Sequence, residues 1–77
     1  MSDQYTPVSC QLHSELELAI IRQRNIILVL KDPPAHHLTV TPLDILTDHR
    51  QEFLVVNHPI QKQLNIRLDN IESLTII

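Results

Sequence analysis

A chain of 77 residues, 43% of them hydrophobic, is long enough for one globular domain and too short for two. A domain of this size buries only about 60% of the surface that its unfolded chain exposes, which leaves little room for an enclosed active site. Nine Asp and Glu against six Lys and Arg give a net charge of -3, and the absence of glycine excludes Gly-rich phosphate-binding loops.

The charge and the aromatic content argue against nucleic-acid binding. Nucleic-acid-binding surfaces cluster cations against phosphates, and single-strand binders stack bases on aromatic side chains. Here the cations are scattered, and the aromatic residues are Tyr5 and Phe53 alone. An acidic surface favours a basic partner. The composition therefore predicts a protein that binds another macromolecule, without direct contact to nucleic acid, and not an enzyme.

The single cysteine, Cys10, excludes an intramolecular disulfide and predicts a half-buried thiol. The segment from Met1 to Gln11 is polar and lacks the apolar region of a signal peptide. No apolar run approaches the ~20 residues that a membrane-spanning helix needs. The expected compartment is the cytoplasm, without membrane attachment.

Residues 1–10 are predicted to form an extended arm. Within it, Thr6 would cap a short helical turn with Pro7 at its first position. A helix is predicted over residues 11–23, because apolar residues recur there at helical spacing: Leu12, Leu16, Ala19 and Ile20. Ser14 followed by Glu17 matches a capping box, which would delay the stable part of the helix to Ser14.

Residues 25–77 predict five strands joined by short links. A continuous aliphatic run indicates a strand buried on both faces, and later segments alternate apolar and polar residues. The second strand bends at Pro42, and Pro33-Pro34 makes the turn before it. The strands are expected at 25–31, around 38–43, and at 52–56, 63–68 and 71–77. The whole chain, 1–77, is predicted to be one mainly β domain, a strongly bent antiparallel sheet closed into a small barrel behind an N-terminal helix.

One helix followed by five bent strands resembles the Sm-like fold. Shorter segments narrow the resemblance to the bacterial Rho-binding antiterminator family (Rof), and together they span about residues 5–74. These segments are Tyr5-Thr6-Pro7-Val8-Ser9-Cys10, Leu16-Glu17-Leu18-Ala19, Leu30-Lys31-Asp32, Glu52-Phe53-Leu54-Val55-Val56 and Ile66-Arg67-Leu68-Asp69-Asn70-Ile71-Glu72-Ser73.

The resemblance implies a protein that binds the transcription termination factor Rho at its N-terminal RNA-binding region and blocks RNA loading. It implies a monomer when free, without a cofactor. Two features depart from the family pattern. Pro33-Pro34 stands where a glycine-containing hairpin is expected, and the turn at Asp48-His49-Arg50 is less basic than expected.

Four helix residues are predicted to face the partner: His13, Ser14, Glu15 and Glu17. Glu17 is the first candidate for a contact with the partner, because it lies in the family-like segment and on the helix face opposite the core. Glu15 and His13 are expected on the same exposed side. The alternatives are that Glu17 only completes the capping box and that the others are ordinary solvated residues.

A second group of predicted partner contacts lies in a polar turn, because rigid scaffolds often hold binding residues on loops. It comprises Thr47, Asp48, His49 and Arg50, with Asp44 and Glu52 on either side as a possible extension of an acidic patch. The alternative is a plain hairpin turn.

The remaining polar motifs favour structural roles. Arg67 is expected to pair with a nearby carboxylate, and Asp69 to cap the turn beside it. Cys10 and His13 have a spacing found in zinc sites, but a structural zinc needs four ligands, usually rich in cysteine. No metal, cofactor or catalytic residue is predicted, because no paired acid–base groups or oxyanion hole can be identified. The alternative function is an Sm-like RNA-binding protein that forms a homo-oligomeric ring.

Overall fold

The computed structural model describes residues 8–31 and 36–77. The predicted turns at Thr6-Pro7 and Pro33-Pro34 lie outside these residues. One helix, five strands and a single 3-10 turn follow in chain order: α1 (Cys10–Ile21), β1 (Ile26–Leu30), β2 (His36–Asp48), β3 (Gln51–His58), β4 (Lys62–Arg67), the 3-10 turn (Leu68–Asn70) and β5 (Ile71–Ile76). The predicted order of one helix and five strands is confirmed.

The helix begins at Ser9, not at Ser14. Ser9 has extended backbone angles (φ -66°, ψ 153°), and its hydroxyl oxygen accepts a hydrogen bond from the Leu12 N–H at 3.2 Å. Ser14 lies inside the helix, where its neighbours' N–H groups already have intrahelical acceptors. The predicted capping box between Ser14 and Glu17 is therefore wrong.

The helix ends two residues before the predicted boundary, in a Schellman-type turn. Gln23 adopts the left-handed conformation (φ 55°). Its N–H donates to the Ile20 carbonyl at 3.1 Å, and the Arg24 N–H donates to the Ala19 carbonyl at 3.0 Å. Glycine usually occupies this left-handed position, but the sequence contains none.

The strands pair in the order β4-β3-β2-β1-β5, and every pairing is antiparallel. The long strand β2 pairs with β1 through residues 36–40 and with β3 through residues 41–48. Its register shifts between Pro42 and Asp44, which marks a β-bulge. The predicted bend near Pro42 thus divides the sheet into two halves that share one strand.

The expected closure into a barrel is wrong, because among the described residues β4 and β5 remain at opposite edges of an open sheet. The two halves instead contribute apolar side chains to one core, together with Leu16 and Ala19 of the helix. Burial therefore does not require the edge strands to pair. The other buried residues of this core are Leu68 of the 3-10 turn and, in the strands, Ile26, Leu28, Leu30, Val40, Leu54, Val56, Ile66 and Ile71.

Within the described residues, no helix is both long and apolar enough to cross a membrane.

The cap assignment predicts different effects for two serines. Ser9→Ala should lower the free energy of unfolding by about 1 kcal/mol, because it removes the acceptor of the Leu12 N–H. Ser14→Ala should leave stability unchanged or raise it by about 0.5 kcal/mol, because alanine favours an exposed helix interior. Urea denaturation of both variants measures the difference. Equal losses, or a larger loss for Ser14→Ala, would contradict the assignment.

Candidate protein-binding surface

The helix presents His13 and Glu17 on one side, one turn apart. The His13 Nδ1 atom lies 3.6 Å from the Glu17 Oε1 atom. The imidazole is half-buried, whereas the Glu17 side chain is 56% exposed. His13 of the same helix therefore orients the Glu17 side chain, while the Glu17 carboxylate stays accessible to a partner.

The same imidazole joins the helix to the sheet. His13 Nε2 lies 3.4 Å from Glu52 Oε2 at the start of β3. Both side chains are only about one-third exposed (30% and 33%), and each contact becomes an ion pair when the imidazole is protonated. His13 thus lies between two carboxylates, one from α1 and one from the β2–β3 hairpin, and Glu52 pairs in the sheet with Thr47 of the predicted turn group.

The β2–β3 hairpin turns through only two residues, His49 and Arg50. Asp48 pairs with Gln51, and Thr47 pairs with Glu52, on either side of the turn. Both turn residues have positive φ angles, 51° and 64°, as in the type I′ turns that suit the twist of paired strands. The Asp48 Oδ1 atom lies 2.8 Å from the His49 Nδ1 atom, and both side chains are largely exposed.

This turn is conformationally strained, because a left-handed residue other than glycine costs roughly 1–2 kcal/mol. Histidine is among the residues that tolerate the left-handed region, but arginine is not especially favoured there. Strained backbone often occurs at functional sites, where the side chains matter more than local stability. The turn therefore remains a candidate for partner contact.

The other two predicted helix residues, Ser14 and Glu15, differ in position. Ser14 is exposed in the middle of the helix, about 60° around it from Glu17, so it stays a predicted partner contact. Glu15 is half-buried, and two residues of an α-helix correspond to about 200° of rotation, so it lies across the helix from both His13 and Glu17. The expectation that Glu15 shares their exposed side is wrong.

Three carboxylates lie at the helix and on the two strands of the hairpin, and we call them the acidic face. Glu17 and Glu52 flank His13, whereas Asp48 is one register step from the Thr47–Glu52 pair and so lies on the opposite face of the sheet from Glu52. Asp44 is exposed on β2 and lines an open groove together with Glu17. The acidic face comprises Glu17, Asp44 and Glu52.

The groove between α1 and β2 was not anticipated from the sequence. It has a volume of about 360 Å³ and is lined by Glu17, Ile20, Ile21, Asp44 and Ile45. Ile20 and Ile45 pack against the core, whereas Ile21 is 75% exposed. One feature of the sequence does indicate exposed apolar surface here, the adjacent pair Ile20-Ile21. A surface helix buries only one stripe, and adjacent residues point about 100° apart, so the two side chains are not expected to be buried together.

Arg67 pairs with the carboxylate of Asp69. Arg67 Nη2 donates to Asp69 Oδ2 at 2.7 Å, and Arg67 Nε donates to Asp69 Oδ1 at 3.1 Å. The Asp69 side chain is only 12% exposed. This two-pronged ion pair joins the last residue of β4 to the 3-10 turn that follows it, and the expected pairing of Arg67 with a nearby carboxylate is confirmed.

Cys10 is exposed at the first position of the helix, so the expected half-buried thiol is wrong. Within residues 8–31 and 36–77, no three His, Cys, Asp or Glu side chains are grouped so that they could hold a metal ion.

The strained turn predicts a stabilising substitution. Arg50→Gly should raise the free energy of unfolding by about 1 kcal/mol, because glycine adopts the left-handed conformation without steric cost. Thr47→Gly, in the paired strand beside the turn, should lower it by about 0.5–1 kcal/mol. Chemical denaturation compares the two variants. A destabilised Arg50→Gly protein would show that the arginine side chain itself stabilises the turn.

The chain is similar in structure to part of "Proteasome accessory factor B/C (PafBC) of Arthrobacter aurescens", with a TM-score of 0.81 and 19% sequence identity. The match covers 96% of this chain but only 12% of that chain, so it shows a shared fold alone. No curated protein matches the sequence. The model of the family described as "Modulator of Rho-dependent transcription termination (ROF)" matches residues 7–77, so the chain belongs to this family.

Proposed function

We propose that this protein inhibits Rho by placing its acidic face on the RNA-binding region of the Rho N-terminal domains. RNA then fails to load, and termination decreases. The protein acts as a monomer and makes no direct contact with nucleic acid. The ROF family consists of regulators of Rho-dependent termination, which supports a regulatory function and not an enzymatic one.

The observation that carries this proposal is the contact of His13 with both Glu17 and Glu52. It connects carboxylates of the helix and of the hairpin into one surface. An RNA-binding region must present cations to phosphates, so an acidic surface of this kind is complementary to it. Charge complementarity steers association and fixes the orientation of a complex, and salt weakens both effects.

Competition with RNA tests the proposal directly. This protein is titrated into Rho that carries a fluorescent cytosine-rich RNA, and the fluorescence anisotropy of the RNA is recorded. The unmodified protein should displace the RNA. Glu17→Lys should need at least about tenfold more protein, because a like charge facing a basic surface is repulsive.

The control is Glu72→Lys, which makes the same charge change at an exposed position on the edge strand β5. It should displace RNA as the unmodified protein does. Equal weakening by both substitutions would indicate a nonspecific effect of net charge. RNA that stays on Rho at saturating protein would contradict the proposed mechanism.

One observation favours a second candidate, an Sm-like ring that binds RNA. Among the described strands, β4 and β5 leave both edges of the sheet open, and open edges are able to pair with another copy. The acidic face counts against RNA binding by such a ring.

Size-exclusion chromatography with light scattering distinguishes the two candidates. The proposed function predicts the monomer mass of 8.9 kDa and no change when cytosine-rich RNA is added. A multiple of that mass that also comigrates with RNA would support the ring instead.

A further inference from the structure

The groove between α1 and β2 combines an apolar floor with one carboxylate on each wall. Ile20 and Ile45 form the floor and continue into the core. Glu17 contributes from the helix and Asp44 from the strand. Lys and Arg are absent from this lining.

The β-bulge in β2 fits this arrangement. Bulges re-aim side chains where a strand needs a local irregularity. The register shift falls between Pro42 and Asp44, and it leaves Leu43 47% exposed. Asp44 Oδ1 accepts a hydrogen bond from the Ile45 N–H at 2.8 Å, which fixes the carboxylate against its own strand at the groove wall.

The exposed isoleucine at the end of the helix is the second irregularity. Ile21 remains 75% exposed although Ile20 beside it packs against the core. Ile21 thus leaves apolar surface at the groove that nothing in this chain's described residues covers. Such a surface next to charged groups is typical of an interaction site.

We infer that this groove is the docking site for a lysine or arginine side chain of Rho, an inference that rests on the proposed function. The cationic head lies against Glu17 and Asp44, and the methylene groups of its stem pack on Ile20, Ile21 and Ile45. Lysine and arginine bury an apolar stem while their charged head stays near polar groups. An anion is excluded by the two carboxylates. A purely apolar group would desolvate both carboxylates without pairing them.

Two substitutions separate the charged and the apolar parts of this contact. Asp44→Asn removes the charge but keeps an oxygen that can accept from the Ile45 N–H. Ile21→Ser removes apolar surface at an exposed position, so the fold should be unaffected. The matched controls are Glu72→Gln on β5 and Ile60→Ser. Ile60 is 82% exposed in the middle of the β3–β4 link, at the other end of β3 from the β2–β3 turn.

The measurement is the affinity of each variant for intact Rho, from displacement of labelled RNA at several salt concentrations. Asp44→Asn and Ile21→Ser should each weaken binding by about five- to tenfold, whereas the controls should not. Asp44→Asn should also reduce the salt dependence of binding, because one screened charge contact is lost. Ile21→Ser should leave the salt dependence unchanged.

The outcomes separate this inference from the proposed function. If the unmodified protein displaces RNA but both variants behave as their controls do, the groove is not a docking site and the proposed function stands. If only Ile21→Ser weakens binding, the occupant is apolar and the cationic side chain is ruled out. If the unmodified protein does not bind Rho, both the inference and the proposed function fail.

Discussion

The burial of Leu16 and Ala19 against the sheet is the contact on which the rest of the structure depends. Their side chains are 0% and 1% exposed, in a chain with few residues available for a core. An open sheet would otherwise leave one apolar face to water, and the helix covers it. Once these two residues are fixed, helical geometry also fixes the side of the helix on which His13 and Glu17 lie. The same contact that completes the core therefore orients the acidic face.

The long strand β2 joins the two halves of the sheet and also contacts the helix. One strand serves both halves of the sheet because it bends at Pro42, and the bulge beside the bend places Asp44 at the groove. Farther along, the hairpin ends in a turn whose two residues have positive φ angles without being glycine. Local backbone stability is lower there than a glycine would provide, while His49 and Arg50 remain exposed. Both irregularities lie beside the proposed binding surface.

Local patterns in the sequence predicted the elements well, but not how distant elements meet. Apolar spacing identified Leu16 and Ala19 as core residues, and alternation located the strand around Ile66. Ser14 was misassigned as the helix cap because its spacing to Glu17 matches a known motif, whereas Ser9 caps through its hydroxyl alone. The contact of His13 with Glu52 has no local signature, because it joins residues far apart in the sequence. The open sheet was missed for the same reason, since alternation does not reveal whether edge strands pair.

The central claim is that the helix and the β2–β3 hairpin act as one binding surface. Hydrogen–deuterium exchange of this protein, free and bound to intact Rho, tests it most directly. The account predicts added protection in α1 and in the β2–β3 hairpin together, with exchange in β4 and β5 unchanged. Added protection along β4 or β5, with none in the helix, would contradict it and would show that this protein meets Rho through the edges of its sheet.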